Sequence, residues 1–168
     1  MARVKKRLSI VLVDDHMPAR EVIVGLIRAE PGFQLLTVSA ELEALSTTIQ
    51  ETRPDLVLLN LARKGRGRLT FAAALHGSAP EIPVVVMGLA PRREDVRALV
   101  RTGVAGFIMA NAPFEVHLRT ILLVAQGNRV LPPDLTHGLF IQLRRRYRAP
   151  QSPSILPSLR LSVLQARS

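Results

Sequence analysis

Leu8 to Val13 is a short, β-branched apolar run cut off by two consecutive aspartates, Asp14 and Asp15, and the pattern it begins recurs down the chain. A short, predominantly apolar run of this kind is what a strand buried on both faces looks like. Phe33 to Val38 alternates as a strand, and further runs follow at Leu56 to Leu61, Val84 to Leu89 behind Pro83, and Gly106 to Met109. Between them lie segments with helical spacing. Pro18 opens one, with Val22, Leu26 and Ile27 recurring up to Pro31-Gly32; Glu41 to Thr52 carries Leu42, Leu45 and Ile49. Glu94 to Val100 stops at Thr102-Gly103, and Glu115 to Gln126 is expected to turn Val116, Leu118, Ile121, Leu122 and Ala125 inward. Strands that alternate with helices pair in parallel, cross over right-handed and bury both sheet faces. The expected class is α/β, a doubly wound five-stranded parallel sheet.

The apolar content, 48% of 168 residues, is enough for a core and rules out disorder over most of the length. The formal charge of +10 invites a nucleic-acid reading until it is placed along the chain. Arg3, Lys5, Lys6 and Arg7 hold four positive charges, and the segment from Arg129 onward holds a net six, so residues 8–128 sum to zero. The body is neutral and the ends are basic. With no Cys there is no disulfide framework, thiol catalysis or thiolate metal site. The basic start and Leu8 to Val13 resemble a secretory signal, but Asp14-Asp15 interrupts it, and no run approaches the ~18 apolar residues of a membrane span. A soluble, cytoplasmic protein with no membrane role is expected.

Three segments are expected: a domain over 8–128, a linker with an amphipathic basic helix over 129–153, and a last segment over 154–168. Leu131-Pro132-Pro133-Asp134 reads as linker and helix start, followed by a stripe of Leu135, Leu139, Leu143 and Tyr147 ending in Arg144, Arg145, Arg146 and Arg148. Prolines and serines between Ala149 and Pro157 read as a flexible connection. The arginine cluster lacks aromatic interleaving, so a solvated basic helix end explains it at least as well as phosphate contact.

In a doubly wound sheet, sites form beyond the C-terminal strand ends where strand order reverses. Asp14-Asp15, Asn60, Gly88 and Ala110 stand at those ends. With Asp14-Asp15-His16-Met17-Pro18 and Arg20, Pro54 to Leu59, Ile82 to Val86, and Gly103 to Phe107, the chain resembles the receiver domain of two-component response regulators, in the NarL/FixJ branch with its LuxR-type helix-turn-helix output. The resemblance covers Leu8 to Asn128 and implies a flavodoxin-like sheet of receiver type with a C-terminal linker helix. It also implies an acidic pair holding Mg²⁺, a phosphoacceptor Asp, a hydroxyl residue and a Lys. Here the pair is Asp14 and Asp15, but the acceptor position is Asn60, the hydroxyl position Gly88 and the Lys position Ala110. An amide is a poor nucleophile toward phosphorus, and Gly and Ala neither bond nor neutralise a phosphoryl group. The expected site is therefore a degenerate one, with no catalytic residue and Mg²⁺ at most weakly held by Asp14, Asp15 and an Asn60 carbonyl. Phe107 takes the place of the family's switch aromatic, or of a plain core residue.

Two carboxylates without a cation recruit a base, and the segment after Asn60 offers Arg63, Lys64, Arg66 and Arg68 as pocket-filling candidates, or as an ordinary solvated loop. Gly65-Arg66-Gly67 reads as a turn rather than a dinucleotide loop. His16, His76, His117 and His137 lack metal-ligand spacing. The resulting expectation is a non-enzymatic, atypical response regulator acting in transcription regulation without standard aspartyl phosphorylation. Its partners would be a response regulator, a sensor kinase or a second copy, in a homodimer through the face of Glu94 to Arg101 and Glu115 to Gln126. Residues 154–168 resemble the opening of a helix-turn-helix domain, so DNA would be met only through an output domain absent or truncated here. A stand-alone antagonist or scaffold without DNA binding is the alternative.

Overall fold

In a computed structural model the described residues are 6–14, 16–39, 43–61, 66–89, 100–131 and 136. Five strands are present: β1 (Leu8–Val13), β2 (Phe33–Ser39), β3 (Leu56–Asn60), β4 (Val84–Leu89) and β5 (Gly106–Met109). The helices are α1 (Met17–Ala29), α2 (Glu43–Thr52), α3 (Arg66–Ser78) and α4 (Phe114–Ala125). All strand pairs are parallel, in the order β2-β1-β3-β4-β5. This is the doubly wound class the alternation of strands and helices demanded, and its order reverses between β1 and β3.

The pleat sorts the core into two layers. Val11, Val13, Val57, Leu59, Val86 and Phe107 face one side, where Leu45 and Ile49 of α2 and Phe71, Ala72 and Leu75 of α3 cover them. Ile10, Leu12, Leu56, Leu58, Val85 and Ile108 face the other, under Ile27 of α1 and Ile121 and Val124 of α4. Central strand β3 is buried at every position. Truncating a fully buried leucine such as Leu58 to Ala therefore costs ~2–5 kcal/mol.

Two expectations need correction. Arg66 to Ser78 is a helix, not a turn or basic loop, although the residues between Asn60 and Ala79 show little helical patterning. Among its described side chains this glycine- and alanine-containing helix buries a narrow stripe at Phe71, Ala72 and Leu75, which is faint in sequence but sufficient once it lies on a sheet. The inward face of α4 is also rotated from the one expected. Thr120, Ile121 and Val124 are buried, whereas Val116 and Leu122 are 38% and 47% exposed. Helix 94–100 falls outside the described residues except at Val100, and so do the expected basic helix and the segment 154–168.

At the N-terminal end of the sheet, Asp55 ties β3 to β1. Its Oδ2 accepts from the Ser9 N–H at 2.8 Å and the Ser9 hydroxyl at 2.6 Å, while Lys6 Nζ lies 2.9 Å from Oδ1. The Asp55 N–H returns to Ser9 Oγ at 3.0 Å.

Candidate functional site

At the opposite end of the sheet the strand termini bring Asp14 and Asn60 together. Asp14 follows β1 and Asn60 ends β3, the two strands that flank the reversal of order. Asp14 is fully buried and Asn60 nearly so. Asn60 Nδ2 donates to Asp14 Oδ2 at 2.8 Å, and the backbone N–H of His16 donates to Asp14 Oδ1 at 2.8 Å. The second bond is an Asx turn that swings the chain from β1 into α1, where Pro18 sits in the first turn at no cost in hydrogen bonds. A buried carboxylate requires donors, and each of its oxygens has one.

The orientation of the amide follows from chemistry. A carboxylate only accepts, so Asn60 must turn its NH₂ toward Asp14 rather than its oxygen. A divalent cation needs the reverse, oxygen lone pairs converging on one point. Asp14 and Asn60 as arranged meet each other instead, and this donor set does not fit Mg²⁺. Among the described residues no group of three His, Cys, Asp or Glu gathers to hold a metal. Asp15 lies outside the described residues.

Gly88 lies in β4 immediately after Met87, the residue paired with Asn60 across the β3–β4 ladder. Its φ is +75°, in the left-handed region that favours glycine, and the β4–β5 pairing shifts register there, between Val86 and Leu89. A side chain at this register shift would strain the backbone. Ala110 occupies an exposed turn after β5. Phe107 is buried in the core layer beneath α2 and α3, and pairs with Val86, which pairs with Leu59 next to Asn60.

Of the basic candidates, Arg63 and Lys64 lie outside the described residues. Arg66 and Arg68 belong to the first turn of α3, and their side chains are outside the described part. The direct Asn60–Asp14 bond was not anticipated from sequence, where Asn60 was considered as a carbonyl ligand. The signal that could have found it is simple. A carboxylate and a primary amide at the ends of adjacent parallel strands are natural partners.

Comparison with known proteins agrees with the fold. Residues 10–117 match the response regulator receiver domain. The chain is 33% identical over 128 residues to the glycerol metabolism activator of Pseudomonas putida, spanning 76% of this chain and 58% of that protein. It is 23% identical over 141 residues to the transcriptional regulatory protein DegU of Brevibacillus brevis, spanning 84% of this chain and 60% of that one. The chain thus spans about three fifths of the length of these relatives. Among solved structures, a two-component response regulator of the LuxR family from Aurantimonas superposes with a TM-score of 0.73 at 20% identity, covering 83% of this chain and 99% of its own. The receiver domain of the NarL regulator of Mycobacterium tuberculosis gives 0.67 at 21% identity, covering 73% and 99%. Among the described residues no helix is long and apolar enough to cross a membrane. With its β2-β1-β3-β4-β5 sheet, a buried aspartate at the strand-order reversal and a match over residues 10–117, the chain belongs to the response regulator receiver domain family.

Proposed function

We propose that this chain is an atypical receiver module of a transcription regulator, one that works without aspartyl phosphorylation. The observation that carries the reading is the 2.8 Å bond from Asn60 Nδ2 to Asp14 Oδ2. A receiver waiting for a phosphoryl group needs a free carboxylate oxygen as nucleophile and a cation to neutralise the charge that builds up. Asn60 offers neither an anionic oxygen nor an open cation site, and with the His16 N–H it satisfies both oxygens of Asp14. The bulge at Gly88 and the small side chain of Ala110 remove the two groups that would otherwise hold the phosphoryl oxygens. Signal input then comes through protein contact, with a response regulator, a sensor kinase or a second copy. Val116 and Leu122, exposed on α4, provide apolar surface for a homodimer. Transcription control and DNA contact, as in the named regulators that are longer than this chain, belong to an output domain rather than to residues 8–128.

The test is incubation of the full chain with acetyl phosphate and Mg²⁺, followed by intact mass, beside Mg²⁺ titration calorimetry. No phosphoryl adduct and no Mg²⁺ heat are expected. A stable adduct of one phosphoryl group that disappears in Asn60→Ala overturns the reading.

A further inference from the structure

The chain does not leave the domain at the end of α4. Gly127, at φ +88°, reverses it, and Asn128 anchors the reversal with its N–H and its Nδ2 each 3.0 Å from Leu123 O. Val130 then forms a parallel bridge with Gly106 on the outer edge of β5: its N–H donates to Ala105 O at 2.9 Å, and its carbonyl accepts from the Phe107 N–H at 3.1 Å. The side chains alternate as a strand's do. Val130 is buried in the layer under α1 and α4, and Leu131 packs against the layer under α2 and α3. One residue on each side of the sheet and two backbone bonds therefore hold the point where the C-terminal segment starts.

We propose that residues 128–131 are a detachable strap, an edge strand that fastens the C-terminal segment to β5 when docked and frees both that segment and the β5 edge when it lifts. Its attachment is small: one bridge with two backbone bonds, the buried side chain of Val130 and the partly buried one of Leu131, set against the entropy of ordering the residues between Gly127 and Pro132. An edge strand of this size opens locally without unfolding the sheet, as weakly attached elements do. Its two bonds fall on either side of Gly106, and one of them is made by the Phe107 N–H. Phe107 continues through Val86 to Leu59, so the strap closes a row of paired residues that begins beside Asn60. The inference stands on the strap's geometry alone and is independent of whether the module accepts a phosphoryl group.

Native-state hydrogen exchange on the full chain tests it without any substitution. The Phe107 and Val130 amides should exchange together, on the order of a hundredfold or more faster than the Val57 amide, which donates to Pro83 O at 3.0 Å in the centre of the sheet. Equal rates for all three would mean a permanent strand and overturn the proposal. Val130→Pro removes the donor to Ala105 O, and Leu131→Ser keeps both backbone bonds while weakening the packing. In either variant Phe107 exchange should rise while Val57 exchange stays as in wild type, and trypsin should cut faster at the arginines of 144–148. Unchanged cutting in a variant whose Phe107 exchange has risen shows that the strap does not hold the C-terminal segment, and overturns the proposal equally. If Val130→Pro does not fold, Leu131→Ser and the wild-type exchange rates decide.

Discussion

Asn60 donates its side-chain amide to the buried carboxylate of Asp14 across 2.8 Å, at the one place in the sheet where strand order reverses. The neutral amide gives the buried carboxylate a partner without bringing in a charge.

Asn60→Asp should therefore destabilise the protein at neutral pH. It removes a hydrogen bond to a buried carboxylate, at a cost of ~1.5–3 kcal/mol, and adds like-charge repulsion. The introduced carboxyl would have its folded-state pKa raised, because only its protonated form can donate to Asp14. A raised group stabilises below its unfolded value of ~4 and loses that contribution as pH rises. The deficit relative to wild type should be small near pH 4, large at pH 7, and reduced by millimolar Mg²⁺. Urea denaturation of both proteins across pH, with and without Mg²⁺, measures this; a deficit independent of pH and of Mg²⁺ would contradict the role given to the pair.

Gly88→Ser introduces a hydroxyl beside the Asn60–Asp14 end of the sheet, and it should weaken the fold. At φ +75° a side chain costs ~1–2 kcal/mol. Gly88→Asn should cost less, since Asn tolerates the left-handed region. Thermal denaturation of the three proteins should rank them Gly, Asn, Ser, and a Ser variant as stable as wild type would show that the bulge relaxes.

Asp55 should dominate the acid limb of the stability curve among the described groups. Burial raises its pKa, but hydrogen bonds from the Ser9 hydroxyl and Ser9 N–H, together with Lys6, outweigh that and hold it below the usual carboxylate value. A depressed carboxylate stabilises above its unfolded pKa, and the contribution is lost as pH falls through the folded one. Asp55→Asn should thus be less stable than wild type at pH 7, with the gap closing as pH drops below ~4. Lys6 is 82% exposed, so Lys6→Ala should cost under ~1 kcal/mol, while Ser9→Ala, which removes the hydroxyl donor to a partly buried carboxylate and the acceptor of the Asp55 N–H, should cost more. Guanidinium titrations between pH 3 and 7 separate these outcomes.

The strands were legible because burial on both faces makes them predominantly apolar, a signal that needs no partner to be seen. Leu56 to Leu59 is the clearest instance. Helix α3 was not, since Gly65-Arg66-Gly67 looks like a turn and only contact with the sheet makes the segment a helix. That Asn60, Gly88 and Ala110 depart from the pattern the resemblance implies could be read residue by residue. The Asn60–Asp14 bond could not, because a hydrogen bond between residues 46 apart depends on strand order and amide orientation. Val130 was hidden for a similar reason: Leu131-Pro132-Pro133 looks like a linker, and its pairing with β5 is a property of the sheet edge rather than of the segment.

Gly103 and His76 offer the sharpest test of packing between α3 and the approach to β5. Gly103 has φ +79°, and a Cβ built on it would lie 2.3–2.6 Å from the His76 ring. Gly103→Ala therefore meets two penalties, ~1–2 kcal/mol for the backbone and ~1–3 kcal/mol for forcing the ring aside. His76→Ala removes the second but not the first. In that background Gly103→Ala should cost only the backbone share, giving a favourable coupling of ~1–3 kcal/mol between the two substitutions. Chemical denaturation of the wild type, both single variants and the double variant closes the cycle. Strictly additive losses would mean that the imidazole moves aside freely, and that Gly103 is required for its backbone conformation alone.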